Sequence, residues 1–234
     1  GKGFIALNFF NLFWIFVVAS IIGLVLETIY HFAVVDPGHY QDRAGLLFGP
    51  FSPIYGVGAV LMTMALNRFH KAPLAVVFLV SAVIGGLFEF LASWFFQFAF
   101  GILAWDYTGS TLFGLCPDPI AILFQGRTSA LFMCMWGVLG VAWIKLLLPW
   151  MLHLVNLIPW NWRYTLTAVC AALMAADCVM TLLSFDCWYE RMAGNVPESA
   201  MEQFMARNFD NQYMAERFQS MSLNPEDATR NALP

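Results

Sequence analysis

Three carboxylates fall inside long apolar runs: Glu27, Glu89 and Asp177. A charged side chain in the hydrocarbon core of a membrane costs at least about 2.5–3.5 kcal/mol, so each calls for a partner or a water-filled cavity. At about 1.5 Å per helical residue, Glu27 and Glu89 each lie about 25 Å along their runs and Asp177 about 20 Å. With the N-terminus inside and the runs alternating in direction, all three climb from the inner side to a similar depth near the outer face. The same zone receives Arg43, Trp105-Asp106-Tyr107 and Gly126-Arg127. Two arginines then face up to four carboxylates. Such a group can hold an anion on its guanidinium groups and a cation or proton on its carboxylates. The same residues also fit an ion-pair network that only fixes helix packing. The candidate substrate- or ion-binding residues are Glu27, Arg43, Glu89, Asp106, Tyr107, Arg127 and Asp177, and none is assigned a catalytic role.

The elements that must position these residues are membrane-crossing helices. Of 234 residues, 60% are hydrophobic and only 11% charged, against about 25% charged in ordinary soluble domains, and the mean hydropathy is +0.69. The 23 Phe, 9 Trp and 7 Tyr suit lipid-facing helices with interfacial belts. Apolar windows of about 20 residues occur at roughly 9–30, 46–68, 72–100, 128–149 and 164–186, which predicts about five crossings. The second is irregular: Gly49, Pro50 and Pro53 in LFGPFSPIYG should hold its first turns open and leave a continuous helix only from about Pro53.

Between the third and fourth windows, GSTLFGLCPDPIAILFQGR is apolar but is broken by Pro117 and Pro119. It reads as an interfacial or re-entrant loop. HLVNLIPWNWRY, with Trp160 and Trp162 beside Arg163, reads as an interfacial anchor. Residues 1–193 thus form the predicted transmembrane domain. Residues 194–222, with Met201, Phe204, Met205, Met214, Phe218 and Met221 at near-helical spacing, form a predicted amphipathic helix on the bundle or the membrane surface, and 223–234 a disordered tail. An inside N-terminus places Lys2, Arg68, Lys71, Lys145 and Arg163 inside and Arg43, Arg127 and Arg191 outside. The first apolar run is too long for a cleavable signal peptide and continues into Glu27.

Several function classes are excluded. The net charge of −4 is small and mixed, without the clustered Lys and Arg that nucleic-acid binding needs. No Walker A, HExxH or GxSxG string occurs, so ATP hydrolysis would need another subunit. No cofactor is implied. His31 and His39 are candidates for metal or proton binding, but solvated interfacial histidines are the commoner case, and no second ligand set stands at zinc-site spacing. Cys134, Cys170 and Cys178 read as buried thiols, while Cys116 and Cys187 leave a disulfide open. Gly56, Gly58, Gly85 and Gly86 read as sites of close helix packing.

The strings GLVLETIYHF, RAGLLFGPFSPIYGVGAVL, GLFEFLASWFFQFAFGILAWDYTG, GRTSALFMCMWGVLG and AADCVMTLLS, in this order over about residues 9–186, resemble the bacterial CmpB-like family of ABC-transporter type IV membrane proteins. The resemblance marks Glu27, Arg43, Gly49, Pro50, Pro53, Tyr55, Gly56, Glu89, Trp105, Asp106, Tyr107, Gly126, Arg127 and Asp177. The chain departs from the family pattern in LFQGR, where an asparagine-rich lead into Gly-Arg is usual, and in its Met-rich tail.

These readings imply a transport-associated, permease-like subunit of a bacterial cytoplasmic membrane with an outward-facing charged cavity, in contact with membrane lipids and with a separate ATPase or transmembrane subunit. Two alternatives stand beside it. One is an intramembrane enzyme acting on a lipid or other embedded substrate through a carboxylate base and an arginine clamp; the other is a structural or sensory membrane partner.

Overall fold

The computed structural model describes residues 4–228. Lys2 and positions 229–234 of the expected tail lie outside the described residues. The chain is an all-α, multi-pass membrane protein. Among the described residues, four helical stretches are long and apolar enough to cross a membrane: Phe9–Val35, Leu74–Phe100, Ala130–Asn156 and Trp160–Met192. The remaining apolar helix, Pro53–Leu66, has 14 residues. At about 1.5 Å per residue it falls short of a 30 Å hydrocarbon core, and it starts at the proline where the sequence predicts a continuous helix to begin.

The chain divides into two compact units, to which α1 (Phe9–Tyr30), α3 (Leu74–Phe100) and α7 (Trp160–Met192) each contribute residues. Unit one holds residues 1–23, 53–91 and 106–172, and unit two holds 24–52, 92–105 and 173–234.

In unit one, α1 and α3 pack with α2 (Pro53–Leu66), α5 (Ala130–Ala142) and α6 (Leu148–Asn156) around Ile15, Met62, Leu66, Val77, Trp136, Trp143 and Leu148. Glycines let the backbones approach. A Cβ on Gly85 would lie 2.1 Å from Trp136 Cγ, and one on Gly58 2.8 Å from the far edge of the same indole. Trp136 therefore fills the space that two missing side chains leave. Without a hydrophobic drive between helices in lipid, such packing and buried hydrogen bonds supply the cohesion. Trp143 Nε1 donates to Thr63 Oγ1 at 2.8 Å and Trp14 Nε1 to Thr167 Oγ1 at 3.0 Å. Along α3, Leu79, Val83 and Leu87 face outward in steps of four residues, as a lipid-facing stripe must.

The expected crossing at 128–149 continues further than the sequence suggested. Pro149 offers no N–H to the turn before it, and residues Trp143–Leu147 widen into a π turn that passes the helix on to α6 without a break. Lys145, expected on the inner side within the 128–149 window, sits in this π turn; its Nζ donates to the carbonyl oxygens of His70 and Ala72 at the α2–α3 turn. The α6–α7 connection shrinks to residues 157–159.

Unit one also contains the expected interfacial loop, built as a hairpin of β2 (Thr111–Leu112) and β3 (Cys116–Pro117) followed by α4 (Pro119–Leu123). Phe113 and Leu115 at its tip are exposed.

Unit two is assembled around α7. Phe185 and Trp188 pack with Leu47, Phe100 and Ile102 and with Met205, Phe209, Met214 and Phe218 of the C-terminal region. That region is two short helices rather than one: α8 (Ala200–Asn208), started by a Ser199–Glu202 capping box, and α9 (Asn211–Arg217), capped by Asp210. Beyond them, within the described residues, the chain forms one further strand. β4 (Ser222–Leu223) pairs antiparallel with β1 (Ile102–Leu103). Gly101 permits this, since its φ is +61° and a Cβ there would lie 2.2 Å from the Asn224 carbonyl oxygen. All five cysteines are free thiols; Cys134, expected buried, faces outward, while Cys187 is buried.

Gly85→Ala is expected to destabilise the protein by about 1–3 kcal/mol through the Trp136 clash, read as a lowered Tm in detergent. Leu79→Ala on the outward stripe should shift it far less, and equal shifts would contradict this account of the packing.

Candidate functional site

The candidate residues divide between the units. Glu89, Asp106, Tyr107 and Arg127 belong to unit one, and Glu27, Arg43 and Asp177 to unit two.

In unit one, Glu89 is 4% exposed on α3. Tyr107 Oη donates to its Oε1 at 3.2 Å and Thr128 Oγ1 to its Oε2 at 3.2 Å. The Tyr107 ring is held by stacking on Phe132, with centroids 4.4 Å apart, and its amide donates to the Gly126 carbonyl at 2.9 Å. Beside it, Asp106 Oδ1 accepts from the Thr108 amide at 2.8 Å and from Thr108 Oγ1 at 2.6 Å. Gly126 has φ +76°, and a Cβ on it would lie 2.3 Å from Asp106 Oδ1. Asp106-Tyr107-Thr108 and the Gly-Arg step are thus one packed structure, which brings half-buried Arg127 in immediately after it.

In unit two, Arg43 clamps Glu27: Nε and Nη2 donate to Oε1 at 2.9 and 2.5 Å. Its Nη1 donates to Gln41 Oε1 at 2.6 Å. The pair carries no net charge, which lowers the cost of its depth. Asp177 does different work. The Phe48 amide donates to its Oδ1 at 3.2 Å, and the Leu47 amide donates at 2.9 Å to Thr181 Oγ1, whose hydroxyl donates to Asp177 Oδ1 at 3.3 Å. Asp177 and Thr181, one turn apart on α7, together receive two amides of the unwound segment before Pro53. Two of its carbonyls are met by Arg217, with Nε donating to the Leu46 carbonyl at 3.0 Å and Nη2 to the Gly49 carbonyl at 2.7 Å. Arg217 Nη1 also meets Asp42 Oδ2 at 3.1 Å.

A family model described as "Putative ABC-transporter type IV" matches residues 14–182. The chain belongs to this ABC-transporter type IV family. No curated protein and no solved structure matches the chain significantly. The type IV match ends before α8, so Arg217 and the α8–α9 region lie outside the matched part.

Among the described residues of this type IV protein, no group of three or more His, Cys, Asp or Glu is placed to hold a metal ion. His39 is exposed and its Nδ1 lies 2.9 Å from Asp36 Oδ1.

Sequence reasoning missed Thr128, Thr181, Asp42, Arg217 and, above all, Asp118. Asp118 is fully buried. Its carboxylate accepts from the amides of Ile120 at 2.9 Å and Ala121 at 3.0 Å, capping α4, and from Ala130 at 3.1 Å and Leu131 at 3.3 Å, at the start of α5. One side chain thus ties the loop to the helix that follows Thr128. The signal was present in Asp-Pro, since Asp favours the cap and Pro the first helical position. Burial alone would raise the Asp118 pKa, but the four amide donors overcome it and hold the carboxyl below the usual aspartate range.

Because its folded-state pKa is depressed, Asp118 contributes stability that is complete above the unfolded-state value, about pH 4, and is lost as pH falls below it. Asp118→Ala is expected to cost about 2–4 kcal/mol at neutral pH by orphaning the amides. Below about pH 4 the wild-type Tm should fall faster than that of Asp118→Asn. Parallel Tm curves for these two would contradict the assignment.

Proposed function

We propose that this type IV protein is a permease-like subunit of a transport assembly in a bacterial cytoplasmic membrane, with ATP hydrolysis supplied by a separate ATPase chain. Glu89 carries the reading. A carboxylate is costly at this depth in an apolar helix, and two neutral hydroxyls hold its oxygens. Hydroxyl donors serve the charged carboxylate as they stand and can turn to accept from the protonated form, so the Tyr107 and Thr128 contacts can persist as Glu89 takes up or releases a proton or small cation. In this reading Arg127 in unit one and Arg43 in unit two supply anion-binding guanidinium groups, with Asp106 and Tyr107 beside the first and Glu27 beside the second. The Glu27–Arg43 pair is the closed form of such a clamp: its bonds are available for exchange with a carboxylate or phosphate of a substrate. The family membership, the four long apolar spans and the lack of a nucleotide-binding motif in this sequence support the same reading.

The test is extraction of the tagged chain from its host membrane in mild detergent. The expected result is a co-purified ATPase chain whose hydrolysis is stimulated by the transported species. Glu89→Gln, which keeps a hydrogen-bonding side chain and removes the charge, should retain the complex and lower stimulated hydrolysis at least tenfold. Recovery of the chain with no ATPase, or a Glu89→Gln complex as active as wild type, would overturn the proposal.

A further inference from the structure

The residues not used by that reading include a cationic end of unit one. The α2–α3 turn carries exposed Arg68 and Lys71. Lys145 is bound to the carbonyls of that turn, and Phe4 donates its amide to Asn67 there at 3.0 Å. On the α6–α7 turn, the Arg163 guanidinium lies 5.0 Å from the ring centroid of Phe10 of α1 and 4.2 Å from that of Trp160. No Asp or Glu occurs anywhere in residues 53–88 or 130–176, which supply these cations. The end is positive without internal neutralisation, and aromatic Trp160, Trp162 and Tyr164 are exposed around it.

Beside Arg163 the α6–α7 turn forms a shallow apolar groove of about 450 Å³, lined by Leu154, Leu157, Ile158, Pro159, Trp162 and Leu166. Arg163 is built into its rim. Nε donates to the Ile158 carbonyl at 3.0 Å, and Nη2 to the Asn156 carbonyl at 3.2 Å. Two nitrogens and the flat face of the guanidinium are thereby fixed, and among the described residues Nη1 donates to no protein acceptor. A cation held rigidly at the edge of an apolar groove, inside an aromatic belt, fits an amphiphile with one negative charge at the head and a hydrocarbon tail.

We infer that the α6–α7 turn is a binding site for an anionic phospholipid, with an acyl chain in the Leu154–Leu166 groove and the headgroup phosphate on Arg163 Nη1. Arg68 and Lys71 add long-range attraction for the same headgroup. A neutral-headed phospholipid finds the same groove but gains less from Arg163, so selectivity resides in the cation and grip in the groove.

Native mass spectrometry of the full chain released from vesicles of equal phosphatidylglycerol and phosphatidylcholine tests this. The wild type should retain phosphatidylglycerol in preference. Arg163→Gln should lower that retention on the order of fivefold while leaving phosphatidylcholine unchanged, as expected for removal of one interfacial cation. Leu157→Trp, at an outward-facing position that leaves Arg163 in place, should lower retention of both lipids; it decides the matter if Arg163→Gln fails to fold. Equal retention of the two lipids by wild type, or a Leu157→Trp chain that binds as wild type, would overturn the inference. So would thermal stabilisation by soluble glycerol phosphate equal to that by phosphatidylglycerol, because the groove would then contribute nothing.

Discussion

In lipid every backbone N–H and C=O must find a partner within the protein, and the structure depends on how the non-helical segments meet that demand. Two segments face it most acutely. In the stretch before Pro53, which no helix or sheet holds, Asp177 with Thr181 accepts from the Leu47 and Phe48 amides while Arg217 donates to the Leu46 and Gly49 carbonyls. The loop between α3 and α5 draws on Asp118, which accepts four amides at once. Lys145 and Arg163 perform the matching task at turn carbonyls. Charged side chains here stand in for secondary structure, and their burial cost is offset by the backbone groups they satisfy.

This division of labour separates the charges into kinds. Asp118, Asp177, Lys145 and Arg217 are engaged with backbone. Glu89 is engaged by hydroxyls and Glu27 by a guanidinium, and these side-chain partners can rearrange with less cost to the fold. The exchangeable groups are the ones a transport role would use, and the backbone-bound groups keep the loops around them in place. In unit one, Asp118 fixes the start of α5 immediately after Thr128, and so positions one of the two hydroxyls on Glu89.

Much of this was legible from sequence, for identifiable reasons. The spans follow from apolar length, and the start of α2 from Pro53, because both are local properties. The cost of isolated charge in lipid marks Glu27 and Glu89 as needing partners, but it does not say which residues those partners are. Arg217 could not be anticipated: it lies 171 residues from its Leu46 acceptor, in a polar region with no local sign of what it binds. Asp177 was legible as a costly charge but not as a backbone acceptor, since its partners are amides and amides leave no mark in a sequence. The fusion of α5 and α6 was obscured by Pro149, which usually ends a helix and here is absorbed by a π turn. The order of residues 222–227 rests on pairing with Gly101–Leu103, a contact that composition does not encode.

The central claim is that acidic side chains satisfy the backbone of the unwound segments. Amide hydrogen exchange of the protein in lipid nanodiscs addresses it directly, read at Leu47 and Phe48 in wild type and in Asp177→Ala. The account predicts strong protection of both amides in wild type and, in the variant, loss of protection at Phe48, a smaller loss at Leu47, whose acceptor Thr181 Oγ1 remains, and little change within α3. Exchange of Leu47 and Phe48 in wild type at the rate of an open loop, or protection unaffected by Asp177→Ala, would contradict it.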